Sequence, residues 1–126
     1  MKKLFLLAVL AVFGLSFTTQ TNTDGIVQAF KSGNADQVAA FFDEYVDLKL
    51  LDKDEVKNMS RNQASIALRS FFTENSVKGF EKASEREIGN TMYMTGKMAN
   101  GGKGFNVTVM LKQSGGKLQI ITVRIN

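Results

Sequence analysis

Apolar residues recur along this chain with different periods, and each period predicts a different element. Residues 4–13 form an unbroken apolar run, LFLLAVLAVF. Ile26, Val27 and Phe30 then fall at helical spacing after Asp24, a good N-cap, and Gly33 marks a stop. Asn34 caps again, and Val38, Phe41 and Phe42 give a second helical stripe. The period changes at residues 45–51, where Val46, Leu48 and Leu50 alternate with Asp47 and Lys49, which predicts a half-buried strand. Charges at 52–55 break it. Ser60 with Gln63 has capping-box spacing, and Ala64, Ala67, Leu68, Phe71 and Phe72 give a third helix an apolar face ending at Asn75.

From residue 78 onward the pattern is strand after strand. Residues 80–88 are polar and charged, as an edge strand would be. Met92, Met94 and Met98 share one face of the next segment, with Tyr93, Thr95 and Lys97 on the other. Residues 100–104 form a Gly-rich hairpin loop. Phe105, Val107, Val109 and Leu111 line one face of a further strand, and residues 118–125 form the last. Helices, a strand, a helix and a four-strand antiparallel run predict an α+β fold: about five strands in a curved sheet, with about three helices on one side.

Composition changes the picture at the N-terminus. Lys2 and Lys3 precede the apolar run, and small residues follow at Gly14, Ser16 and Thr18. That is the layout of a secretory signal peptide. The run is short of the roughly 20 residues a spanning helix needs, so a cleaved signal is expected, with an uncleaved N-terminal anchor as the alternative, and no stable membrane span once the signal is gone. Cleavage after Ser16 or Thr18 satisfies the small-residue requirement. The expected organisation is a signal at 1–18, a polar lead at 19–23 and one domain at 24–126, exported to the periplasm or beyond. Removing 18 of 126 residues leaves 108, and losing Lys2 and Lys3 lowers the net charge from +4 to +2. So small a charge, with no basic stripe, is not the footprint of a nucleic-acid binder.

The chain has no His, Cys, Pro or Trp. That excludes His-based triads, thiolate nucleophiles, disulfides and zinc sites built on His or Cys. No cofactor or metal is expected. Asp52, Asp54 and Glu55 resemble the start of a calcium loop, but Val56, Lys57 and Gln63 stand where an oxygen ligand, a Gly and a closing Glu belong. Gly102-Lys103-Gly104 lacks the Gly and the Ser or Thr of a phosphate-binding loop.

The segment DGIVQAFKSGNADQVAAFF at 24–42 resembles the opening of the nuclear-transport-factor-2-like superfamily. So do the third helix, QASIALRSFF at 63–72, and the last strand, GGKLQIITVRI at 115–125. With the leader, the chain is similar to a domain-of-unknown-function family of small exported bacterial proteins, number 4783. The resemblance implies a cone of curved sheet closed by helices, often with a cavity in the mouth and often dimeric through the sheet. It implies a fold more than an activity.

Some members of that superfamily are isomerases, whose chemistry pairs a carboxylate base with a phenol. The nearest material is Asp47 with Tyr45 or Tyr93. If Val46 and Leu48 face the core, however, Tyr45 and Asp47 point away from it. Dehydratases relying on Asp-His are excluded. Glu81, Glu85 and Glu87 alternate onto one face of their strand and read as a solvated edge. Met92, Met94 and Met98, with Met110 near them in pattern, either fill the core beside Phe30, Phe41 and Phe72 or line a surface for varied apolar ligands. Arg124 either meets an anionic ligand group inside the cone, lies on the outer face, or enters a dimer contact. The expected function is non-catalytic binding of a small apolar or anionic ligand, or an interaction role. An Asp/Tyr isomerase and an oligomerisation module, including a homodimer, are the alternatives.

Overall fold

A computed structural model describes residues 23–126 except 101 and 103. The expected signal, residues 19–22 of the lead, and two positions of the 100–104 loop lie outside the described residues.

Helix α1 (Asp24–Ser32) buries Ile26, Val27, Ala29 and Phe30 on one face. Asp24 lies inside the helix rather than capping it. The cap position is Thr23, whose carbonyl accepts from Val27 and whose hydroxyl donates to Glu85. Gly33 ends the helix at φ 67°, and a Cβ there would lie 2.8 Å from the Val77 carbonyl oxygen.

Helix α2 (Ala35–Ala39) is capped by Asn34, whose Oδ1 accepts from the amides of Asp36 (2.9 Å) and Gln37 (3.3 Å). Asn34→Ala removes the acceptor of both bonds and is expected to cost about 1 kcal/mol in urea unfolding. An unchanged midpoint would mean that packing alone holds this turn.

The apolar stripe at Val38, Phe41 and Phe42 is not one helix. Strand β1 (Phe42–Leu50) begins three residues before the alternation predicts. The cause is long-range pairing. The Phe41 carbonyl accepts from Ile120 N at 2.7 Å, and Phe42 sits opposite Ile120. Strand pairing overrides the local helical pattern.

Strand β2 (Val56–Ser60) follows a tight charged turn, and Ser60 caps helix α3 (Arg61–Glu74), accepting from Gln63 N at 3.2 Å. Strands β3 (Gly79–Ile88), β4 (Thr91–Ala99), β5 (Gly104–Ser114) and β6 (Lys117–Ile125) complete a six-stranded sheet in the order β2-β1-β6-β5-β4-β3. The count is six rather than about five because β2 was not expected. All pairs are antiparallel except β1–β6. The sheet curves without closing, so β2 and β3 remain edges.

Helix α1 packs on β3, and α3 packs on β1, β2 and α2. Between helices and sheet lies one apolar core. Phe30, Met94, Met98 and Leu111 within it have no exposure. The Phe30 and Phe80 rings lie 5.1 Å apart, and Phe71 meets Phe105 edge-on at 5.6 Å.

A bulge between Lys82 and Ser84 changes the face pattern of β3. Glu81 sits opposite Lys97 on the outer face. Glu85 and Glu87 sit opposite Met94 and Met92 on the helix side. The expectation that the three glutamates share a face therefore fails, because one extra residue flips everything after it.

Three carboxyls are held below their usual range by donors beside them. Arg69 donates to Asp36, Lys112 Nζ donates to Asp43 at 3.0 Å, and Thr23 donates to Glu85. A depressed folded-state pKa contributes stability above the unfolded value and loses it as pH falls. Asp36 and Glu85 are exposed and Asp43 is half-buried at the surface, so each contribution is small. The urea midpoint is expected to fall steadily below about pH 4, where unfolded carboxyls protonate. Asp43→Asn should make that fall shallower, and an unaltered pH profile in the variant would contradict the assignment.

Candidate functional site

The inner face of the sheet is filled with side chains. Phe30 comes from the last turn of α1, and Phe72 from the buried stripe of α3. Met92, Met94 and Met98 come from the inward positions of β4, at 6%, 0% and 0% exposure. The sequence pattern brings these five residues together as expected, in the contiguous core.

The polar residues lie elsewhere. Val46 and Leu48 are buried, so Tyr45 and Asp47 face outward, with Tyr45 56% exposed. Asp47 Oδ1 accepts from Asn58 N at 2.9 Å, and Asn58 has φ 56°. The carboxylate thus supports the irregular β1–β2 pairing, where the register shifts between Val46 and Leu48. Tyr93 is also outward, in the cross-strand row Tyr93–Met110–Thr122–Asp47. Three strand spacings separate it from Asp47, about 14 Å, too far for both to engage one small substrate. Tyr45 borders a polar depression with Asp43, Ser60, Arg61 and Asn62. Arg124 is on the outer face, and its Nε donates to Glu55 Oε1 at 2.7 Å. Among the described residues, no three Asp or Glu side chains cluster as metal ligands, and no helix is long and apolar enough to cross a membrane.

The mouth of the cone offers something the sequence analysis missed. A cleft of ≈ 420 Å³ opens between the β1–β2 turn and the C-terminal half of α3. Its apolar surface is Leu50, Leu51, Ala67 and Phe71, and its rim is Asp52, Lys53, Ser70, Glu74 and Asn75. Leu51 stands at φ 55°, a conformation that costs a non-glycine residue about 1–3 kcal/mol. Two bonds hold it there. Its N–H donates to the Ile125 carbonyl at 2.7 Å, and its own carbonyl accepts from Lys49 Nζ. Two signals in the sequence point to this site. Leu50-Leu51 breaks the strand alternation with two successive apolar residues, and Ala67 and Phe71 are i, i+4 at the edge of the α3 stripe.

Solved structures share this architecture. A Bacteroides uniformis DUF4783 protein is 21% identical with a TM-score of 0.76, covering 84% of this chain and 96% of that one. A Bacteroides ovatus DUF4783 protein is 25% identical with a TM-score of 0.72, covering 80% and 90%. An uncharacterised cystatin-fold protein from Novosphingobium aromaticivorans is 14% identical with a TM-score of 0.60, covering 82% and 93%. These likenesses show the same α+β fold with a curved, unclosed sheet. No curated protein matches the chain. The family model for the domain of unknown function DUF4783 matches residues 23–126, so the core, the outer sheet face and the cone-mouth cleft described above are those of a member of the DUF4783 family.

Proposed function

We propose that this chain is an exported, non-catalytic binding domain whose recognition site is the cone-mouth cleft. The cleft itself carries the reading. Leu50, Leu51 and Ala67 stay half-buried at the open end of a cone whose interior side chains are fully enclosed. An apolar floor with a few polar groups at its rim is the usual form of a small-ligand site. Tyr45, Asp47 and Tyr93 face away from the cone interior, which leaves the cleft without a base-and-phenol pair. Titrating the ¹⁵N-labelled protein with 1-hexanol should move the amides of Leu50, Leu51, Ala67 and Phe71. Unmoved amides there, or shifts confined to other surfaces, would contradict the proposal. Export rests on the leader, and N-terminal sequencing of the secreted product should read from Phe17 or Thr19.

A second reading, a homodimer through the outer sheet face, has its own observation. The outer row runs Arg86–Tyr93–Met110–Thr122–Asp47 across five strands. A two-fold axis through its middle would set Arg86 against the Asp47 of a second copy at both ends. Analytical ultracentrifugation tests it. Asp47→Lys should weaken the dimer, and Asp47→Lys with Arg86→Glu should restore it. A wild-type monomer at every concentration would remove this reading.

A further inference from the structure

Residues 52–58 lead from the end of β1 into β2 at the mouth of the cone, and none of them is buried. Both limits of the segment are left-handed. Leu51 stands at φ 55° just before it, and Asn58 at φ 56° closes it. Such backbone is uncommon outside glycine, and hinges are element-terminal or loop residues of this kind. The pairing of β2 with β1 is also broken here: Val46 lies opposite Met59 and Leu48 opposite Val56, with a register shift between them. Val56 is the one apolar side chain of the segment. It is 48% exposed, although Leu48 opposite it is buried.

Charged side chains tie this segment to the sheet. Lys49 donates to the Leu51 carbonyl, Asp47 Oδ1 accepts from Asn58 N at 2.9 Å, and Arg124 Nε donates to Glu55 Oε1 at 2.7 Å. All three reach from the outer face of β1 and β6, with Lys49 directly opposite Arg124. Rotation at ψ of Leu51 and φ of Asn58 breaks the first two bonds. The Leu51 amide lies on the sheet side of that rotation and keeps its bond to the Ile125 carbonyl. Surface contacts of this kind are weak one by one, and opening the segment exposes no core side chain. It therefore costs far less than unfolding the domain.

We infer that residues 52–58 are a strap, hinged at Leu51 and Asn58 and latched by Asp47, Lys49 and Arg124, that opens as a unit while the rest of the domain stays folded. Asp52 and Lys53 line the cone-mouth cleft, so the movement widens and narrows that cleft. The strap stands whether or not the cleft binds a ligand.

Amide hydrogen exchange followed by NMR in a series of low urea concentrations tests it. Lys53 N, bonded to the Leu50 carbonyl, and Asn58 N, bonded to Asp47, report the strap. Ile120 N, bonded to the Phe41 carbonyl, reports the body. Both strap amides should be protected, but less than Ile120, and their rates should be nearly independent of urea while that of Ile120 climbs. Arg124→Gln bonds to neither reporter and removes the latch at Glu55 between them. It should speed both by one common factor of about two to five. Strap amides that follow Ile120 through the urea series would overturn the strap. So would strap amides with no protection, or an Arg124→Gln variant in which either amide keeps its wild-type rate.

Discussion

Phe30→Ala is expected to destabilise the domain by about 3–5 kcal/mol, the usual cost of removing a fully enclosed aromatic ring. Phe30 has no exposure, and its ring meets that of Phe80 at 5.1 Å. It sits in the last turn of α1, three residues before the left-handed Gly33 that turns the chain into α2. Losing the ring removes the Phe30–Phe80 contact between α1 and β3 and leaves a void in the core. A domain of this size has about 5–15 kcal/mol in total, so the variant should be close to unfolding. Urea unfolding followed by circular dichroism measures this, with the slope compared to detect a change in the denatured state. The outcome also bears on function. If Phe30 lined an open ligand cavity, its truncation would enlarge a space already wet, and the loss would be below about 1 kcal/mol.

Gly96→Ala is expected to cost about 2–3 kcal/mol through overpacking. Gly96 points inward from β4, where Met94 and Met98 also point inward. A Cβ there would lie 2.4 Å from Phe80 Cζ, 2.6 Å from Phe80 Cε1 and 2.6 Å from the Glu81 carbonyl oxygen. A ring could rotate aside, but the carbonyl belongs to the backbone of the paired strand. The β3–β4 pairing must therefore spread or Phe80 must leave its seat against Phe30. Thermal unfolding should show a drop of roughly 10–20 °C. Adding Phe80→Leu to Gly96→Ala should recover part of the loss, because it removes the ring clash and leaves the carbonyl clash. Full recovery would mean that the ring alone enforces the glycine, and none that the backbone contact alone does.

The elements legible in the sequence were those whose signal is local. Asn34 and Ser60 announced their helices because capping needs only the residues within one turn. The alternation in β4 and β5 announced their buried faces because both strands are central and half-covered. What escaped depended on distant partners or on an irregular backbone. Strand β2 is a short edge strand, mostly exposed, with Asn58 at φ 56°, so it has no alternation to read. Phe41 and Phe42 read as helix because only Ile120, nearly eighty residues away, draws them into the sheet. The β3 bulge moved Glu85 and Glu87 to the helix side, a change that one inserted residue makes without any sequence mark.

The candidate site divides the same way. Phe30, Phe72 and the three methionines were correctly grouped by period, but period says nothing about whether a shared face encloses a cavity. Their exposure places them in the solid interior. Arg124 was left open between inside and outside, and its pairing with Glu55 on the outer face decides its position. The cleft was missed because its walls come from a turn and a helix end well apart in sequence, each unremarkable alone. With no His or Cys in the chain, the nearest catalytic material in the sequence was a carboxylate beside a phenol. The carboxylates that frame the cleft, Asp52 and Glu74, stand beside leucines instead.

The central claim is that the cone is solid and that recognition occurs at its mouth. The most direct test is a methyl-labelled spectrum of the Leu and Met side chains during titration with 1-hexanol. The Leu50 and Leu51 methyls should shift in proportion to occupancy, while those of Met94, Met98 and Leu111 stay in place. Shifts at Met94 and Met98 with Leu51 unmoved would show that the interior opens to ligand, and would contradict the account.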